Sequence, residues 1–454
     1  MKDAIRLTTG TATNRRAGFL AACCIPVIGA VVMLLPVTVQ AQLYRYEELY
    51  SFRSGADGYS PQGALVEGAD GDFYGTTYQG GQPTTNCPAC GYGTVFRVTP
   101  GGVLTTIAWF DGTTNDYPTN YGEYPFGAML LASDGNFYGD SQHGLFRATP
   151  GGVLTAMPGG TLGDPAQGTN GYLYSGNPNY GIVAWYSLSG STLGSAYPSG
   201  TLSGGLIQAS DGNFYGLTSD GGAYGYGTAY KLTPSGTLST LVSFGNNCRW
   251  PYGKMLQAGD GSLYGVCHSP EQVFKLTLSG TLTTFAVFGT NGDWGYNPNG
   301  GLIQANDGNF YGTTFEGGPL AGAQGTVFKI TPQAEVTTLF VFSTRGAVPG
   351  SGPMAGLIQG HDGNLYGTCA YGGTYGGGNI FRILMPGPGL GITVIGDAAV
   401  LSWRTNYQGF GLETSTTLTS GTWSAATNAP LSSNGRFWST NSLPGDTRFF
   451  RLSK

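Results

Sequence analysis

Charge is scarce in this chain. Of its 454 residues only 10% are Asp, Glu, Lys or Arg, against about a quarter in ordinary soluble proteins. No basic cluster follows the first 41 residues, and the balance there is acidic, so nucleic acid and anionic lipid are poor partners. Runs of Leu, Glu, Lys and Ala at helical spacing are missing, which excludes long amphipathic helices. Beyond residue 41 no apolar run is long enough to span a bilayer. There are three histidines, His143, His268 and His361, far apart in sequence and without metal-ligand spacing. Neither a Gly-x-Ser-x-Gly elbow nor a phosphate loop occurs, and no cofactor motif is present.

What is abundant is glycine, 80 residues, with 25 prolines and 13% aromatics. Disordered chains are poor in aromatics, and collagen needs Gly at every third place, so neither fits. The remaining class is an all-β protein with many tight turns. Its first 41 residues read as a signal peptide, with an uncleaved membrane anchor as the alternative because the apolar run is longer than usual. Lys2, Arg6, Arg15 and Arg16 form a basic front, an apolar run covers 17–39, and Val39-Gln40-Ala41 offers small residues at the cleavage positions. The expected location is secreted, extracellular or at the cell surface.

The dominant feature is a repeated hexapeptide, Asp-Gly-Asn-Phe-Tyr-Gly and variants, starting at Asp70, Asp134, Asn170, Asp211, Asp260, Asp307 and Asp362. Seven copies at uneven spacing describe one fixed unit with connections of variable length. Residues 205–245 show it in full. Gly205–Ala209 reads as a first strand, Asp211-Gly212 as a hairpin turn, and 214–218, 228–232 and 238–244 as three further strands. Apolar residues on both parities of the inner strands indicate sheets covered on both faces. Four strands per unit predicts a β-propeller blade, hence a seven-bladed β-propeller over 42–385. The seventh unit stops after its third strand, 379–383, and Glu47-Glu48-Leu49-Tyr50-Ser51-Phe52 reads as the missing outer strand. The N-terminal strand is thus expected to close the ring, which removes exposed sheet edges.

The pattern Gly-Leu-Ile-Gln-Ala…Asp-Gly-Asn-Phe-Tyr-Gly-Thr-Thr…Gly-Thr-Val-Phe-Lys-Ile-Thr-Pro, clearest at 301–332, resembles the GloVer-type (choice-of-anchor) tandem repeat family of secreted bacterial β-propeller-like proteins. The resemblance covers about 47–384 and implies an extracellular or surface-associated protein of unassigned activity. A linker at 386–390 precedes residues 391–454, whose short strand-like runs between Ser, Asn and Gly turns read as a small β-sandwich of fibronectin-III or immunoglobulin type. Trp403, Trp423, Trp438 and Phe449 or Phe450 are its expected core.

In an antiparallel blade the first-to-second and third-to-fourth turns share one end, and the remaining connections share the other. Here the first set is short and uniform, while the second is long and varied, at 78–92, 111–127, 245–253, 289–300, 315–325 and 343–355. Function is expected at that varied end. Its candidate binding aromatics are Tyr117, Tyr121, Tyr124, Trp250, Tyr252, Trp294 and Tyr296, beside amides and carboxylates that suit sugars. A glycan or an extracellular protein is the expected partner, bound by a monomer without catalysis. The alternative is a carbohydrate-active lyase or hydrolase using Asp111, Asp116 and Glu123.

Three positions before each motif start stand Glu67, Leu131, Gln167, Gln208, Gln257, Gln304 and Gln359, the polar ones forming a candidate ring around the axis. The repeated Asp residues lack the alternating ligands of a calcium loop and read as turn formers. Five cysteines remain after the leader. Cys87 with Cys90, and Cys248 with Cys267, are the candidate disulfides, leaving Cys369.

Overall fold

The computed structural model describes residues 5–7, 44–81, 91–111, 124–142, 144–157, 163–177, 180–288, 295–320, 322–343, 350–386, 390–395, 398–404, 410–416, 423–426, 428–433, 436–442 and 448–453. Every regular element among them is a β-strand. Two compact units divide the chain, one of Tyr44–Met385 and one combining Met1–Leu43 with Pro386–Lys454.

Tyr44–Met385 holds seven four-stranded antiparallel sheets. Their second strands are Phe73–Thr77, Phe137–Ser141, Leu173–Asn177, Phe214–Thr218, Leu263–Ser269, Phe310–Thr314 and Leu365–Cys369, here defining sheets 1 to 7. In sheet 7 the fourth strand is Arg45–Ser51, paired antiparallel along Asn379–Leu384. Seven buried apolar clusters occur, each filled from two consecutive sheets, including one shared by sheets 7 and 1. In that last cluster the rings of Phe73 and Tyr366 lie 4.1 Å apart.

The hexapeptide explains how each sheet is made. Its second residue, Gly, adopts φ between 78° and 85° in all seven copies, which a β-carbon would penalise. Its first residue ties the turn to the strand. In sheet 4, Asp211 Oδ1 accepts the Asn213 N–H at 3.1 Å and Oδ2 accepts the Tyr215 hydroxyl at 2.8 Å. The same tyrosine contact recurs at Asp70, Asp134, Asp260, Asp307 and Asp362. These aspartates are turn formers, and no group of metal-ligating side chains occurs among the described residues.

The motif's last Gly is there for packing. A β-carbon at Gly75 would sit 2.5 Å from the Phe96 ring of the neighbouring strand, and one at Gly312 would sit 2.6 Å from Phe328. The third copy exchanges both partners: Ser175 stands in the glycine's place, and opposite it Ala184 replaces the ring. What looks degenerate in sequence is a compensated pair.

The second unit contains two four-stranded sheets. One orders Gly391–Ile395, Ala398–Arg404, Arg436–Ser442 and Leu431–Ser433; the other orders Ile5–Leu7, Arg448–Ser453, Gly411–Ser415 and Ser424–Ala425. Ala399, Leu401, Trp403, Leu412 and Phe450 form its buried core. Trp438 does not join them. Burial alternates along its strand, putting Ser439 and Asn441 inward and leaving Trp438 exposed. Trp423 is half-buried, with the Arg451 guanidinium 4.4 Å from its ring.

Candidate functional site

Each sheet's short turns lie at one end and its second-to-third connection at the other, as antiparallel pairing requires. Ten aromatic side chains of Tyr44–Met385 are exposed among the described residues. Eight of them, Tyr180, Tyr197, Tyr224, Trp250, Tyr252, Tyr296, Tyr371 and Tyr375, belong to second-to-third or fourth-to-next-first connections or to the strand starts these feed; Trp109 closes a fourth strand at the same end, and Tyr172 lies in a short turn at the other.

The sequence candidates divide accordingly. Trp250, Tyr252 and Tyr296 are exposed. Tyr124 is half-buried, its ring 5.0 Å from Tyr78 and 5.9 Å from Tyr92, so it packs one connection against another. Tyr117, Tyr121, Trp294, Asp116 and Glu123, and the Cys87–Cys90 pair, lie outside the described residues. Cys248 and Cys267 form a disulfide, fixing the connection into sheet 5 onto that sheet's second strand. Cys369 is buried as a free thiol. The exposed tyrosines 180, 224, 371 and 375 were not among the candidates, although they stand in second-to-third connections where the same loop argument points.

A further pattern emerges at this end. Ser60, Tyr124, Trp250 and Asn297 have φ of 54° to 58°, the left-handed region, and each precedes a proline. Gly352, at φ 62° before Pro353, occupies the same place in sheet 7. Four of the five donate their backbone N–H to the previous sheet: Ser60 to Gly377 O, Tyr124 to Tyr92 O, Trp250 to Tyr226 O and Gly352 to Gln324 O. The recurring proline was the sequence signal for this device.

The amides of the candidate ring have their partners. Gln167, Gln208, Gln257, Gln304 and Gln359 each accept, through Oε1, a backbone N–H of the preceding sheet at 2.8 Å. Each also donates Nε2 to the carbonyl of its own turn glycine. These side chains act as staples between sheets.

One carboxylate is fully buried near the opposite end of the inner strands. Asp140 stands where other copies carry Thr76, Thr313 and Thr368. Those threonines in sheets 6 and 7 donate to the next sheet, to Ala355 O and Gly63 O. Asp140 makes the equivalent link by accepting the Gly163 N–H at 2.5 Å. Burial pushes its carboxyl well above the usual range, against the hydrogen bond from Gly163, with Asp164 adding repulsion. Lys254 is pulled the other way, its amine lowered by burial although Asp164 opposes this.

With this geometry in place, likenesses to other proteins can be read. Residues 271–391 match the Gloeobacter/Verrucomicrobia repeat. Over those residues the chain is similar to this tandem repeat. No curated protein matches it. Among solved structures it is similar to streptogramin B lyase, with a TM-score of 0.54 at 14% identity over 75% of this chain and 97% of that one. Virginiamycin B lyase from Staphylococcus aureus, solved with quinupristin, gives 0.54 at 13% over 75% and 99%. The extracellular domain of the hybrid two component system BT4673 from B. thetaiotaomicron gives 0.53 at 11% over 82% of this chain and 42% of that one. At such identities the likeness concerns the β-propeller-like fold alone.

Proposed function

We propose that Tyr44–Met385 is a seven-bladed β-propeller closed by Arg45–Ser51, and that it belongs to a secreted, non-catalytic binding protein whose long-connection end captures glycans. One observation carries this reading: eight of the ten exposed aromatics among the described residues of Tyr44–Met385 gather in the second-to-third and fourth-to-next-first connections and adjoining strand starts. Rigid rings beside amides and hydroxyls complement the C–H faces and hydroxyls of sugars. The basic-then-apolar segment 1–41 supports export, as does the Cys248–Cys267 disulfide. Cleavage after Ala41 would leave Arg448–Phe450 without its Ile5–Leu7 partner, placing that strand at a sheet edge.

A glycan array probed with the secreted chain tests the proposal. Binding to a subset of glycans is expected, with loss in a Trp250→Gly, Tyr252→Ala, Tyr296→Ala variant whose melting temperature is close to that of the parent. Absence of glycan binding overturns it. So does release of reducing sugar from a polysaccharide panel that disappears in Asp111→Ala or Asp116→Ala, which would establish the lyase or hydrolase alternative.

A further inference from the structure

The connection between sheets 4 and 5 carries a cation within its aromatic surface. The Arg249 guanidinium lies 5.5 Å from the Tyr226 ring and 5.6 Å from the Trp250 ring. It pairs with no carboxylate among the described residues, and its buried Nε has no hydrogen-bond partner among them. A guanidinium held by two rings is oriented for planar recognition, with its remaining N–H groups available to an acceptor. Tyr224, two residues before Tyr226, is exposed and borders Gly245, where a β-carbon would touch its ring at 3.9 Å. Tyr252, two residues beyond Trp250, is exposed as well and has the His268 ring 5.2 Å away.

The backbone here follows the recurring left-handed entry before proline, but with a bulky ring at a place that serine, asparagine or glycine fills elsewhere. Trp250 sits at φ 54°, a region costly for a bulky side chain. Glycine fills the corresponding place in sheet 7. The strand therefore enters its sheet equally well without a ring at this position. Holding Trp250 there are its N–H bond to Tyr226 O at 3.0 Å, the following Pro251, and the disulfide at the adjacent-but-one Cys248. An exposed ring held in place beside a cation that pairs with no carboxylate among the described residues offers a surface for an anionic, flat-faced ligand.

We propose that Arg249, Trp250, Tyr224 and Tyr252 form a subsite for an acidic sugar, a uronate residue of an anionic polysaccharide, with rings stacking on the sugar and Arg249 engaging its carboxylate. This rests on the glycan-binding reading above and specifies its substrate class. An Arg–carboxylate pair is bidentate and charge-assisted, so it discriminates strongly against a neutral sugar of the same shape.

Calorimetric titration of the full chain with a uronate oligosaccharide and with its methyl ester tests the proposal. The acid form should bind at least about tenfold more tightly than the ester, and the advantage should shrink with added salt. Arg249→Gln should abolish the preference, and Arg249→Lys should retain part of it. Trp250→Gly should weaken both ligands about tenfold or more while leaving the melting temperature equal or higher, because glycine accepts this backbone. That combination separates lost recognition from lost folding. Equal binding of acid and ester, both sensitive to Trp250→Gly, overturns the acidic-sugar assignment and leaves glycan binding standing. Binding of neither, with no other glycan bound on an array, overturns both.

Discussion

Glu67 and His361, 294 residues apart in sequence, are joined across the meeting of sheets 1 and 7. The Glu67 carboxylate accepts the His361 backbone N–H at 3.1 Å, and its Oε1 lies 2.7 Å from His361 Nδ1. At five other boundaries a glutamine accepts the equivalent N–H. Glu67→Gln should therefore be tolerated within about 0.5 kcal/mol, whereas Glu67→Ala should cost about 0.5–1.5 kcal/mol by removing the half-buried acceptor that bridges to the exposed His361 N–H. Urea denaturation of the two variants checks the contrast. Equal loss in both would show that charge, not the bridging bond, is what matters.

The boundary between sheets 1 and 2 lacks this staple, because Leu131 occupies the glutamine's place. Leu131→Gln should supply an acceptor for the Ala69 N–H, the corresponding donor. Two new hydrogen bonds are offset by the half-buried leucine's lost contacts, so net stability should change by no more than about 1 kcal/mol. Hydrogen exchange at Ala69 should nevertheless slow several-fold. Unchanged exchange would mean the amide does not reach across.

Asp140 is a carboxylate in a threonine's place. Its raised folded-state titration point means that ionisation opposes folding, a cost absent below the unfolded value near 4 and growing as pH rises above it. Asp140→Thr should stabilise the chain by roughly 1–3 kcal/mol at pH 7 and by little at pH 4. Melting temperatures across this range read the difference directly. A pH-independent effect would contradict the assignment.

The turn aspartates set the acid limit. Burial alone would raise Asp211, but hydrogen bonds from Asn213, Tyr215 and Lys231 hold it down at about 2. Asp70, Asp134 and Asp260 are lowered in the same manner. A depressed carboxylate contributes stability above its unfolded value, and that contribution is lost as pH falls toward 2. Their tyrosine partners are raised, Tyr74 and Tyr138 to about 12, by burial and by the aspartate hydrogen bond. Stability tied to the neutral phenol is present below pH 10 and lost as pH rises through 12. Thermal unfolding should accordingly fall off below about pH 4 and above about pH 10. Asp211→Asn, imitating Asn170 of the third copy, should weaken the acid dependence.

The amino-acid order alone specified what is local and periodic. A turn needing positive φ every few dozen residues, flanked by strand-forming runs, yields four-stranded units whatever surrounds them. The division into short and long connections followed from antiparallel pairing, and with it the end where exposed aromatics gather. Side-chain partners across sheet boundaries were not legible, since Glu67 meets His361 only through packing that no local pattern encodes. Trp438 was misassigned to a core because hydrophobicity names a burial preference, while strand parity decides which face receives it. The left-handed pose of Trp250 and the cation beside it were likewise settled by tertiary structure. A hydrogen bond from one sheet, a disulfide in the next and two rings had to converge before that arginine acquired its setting.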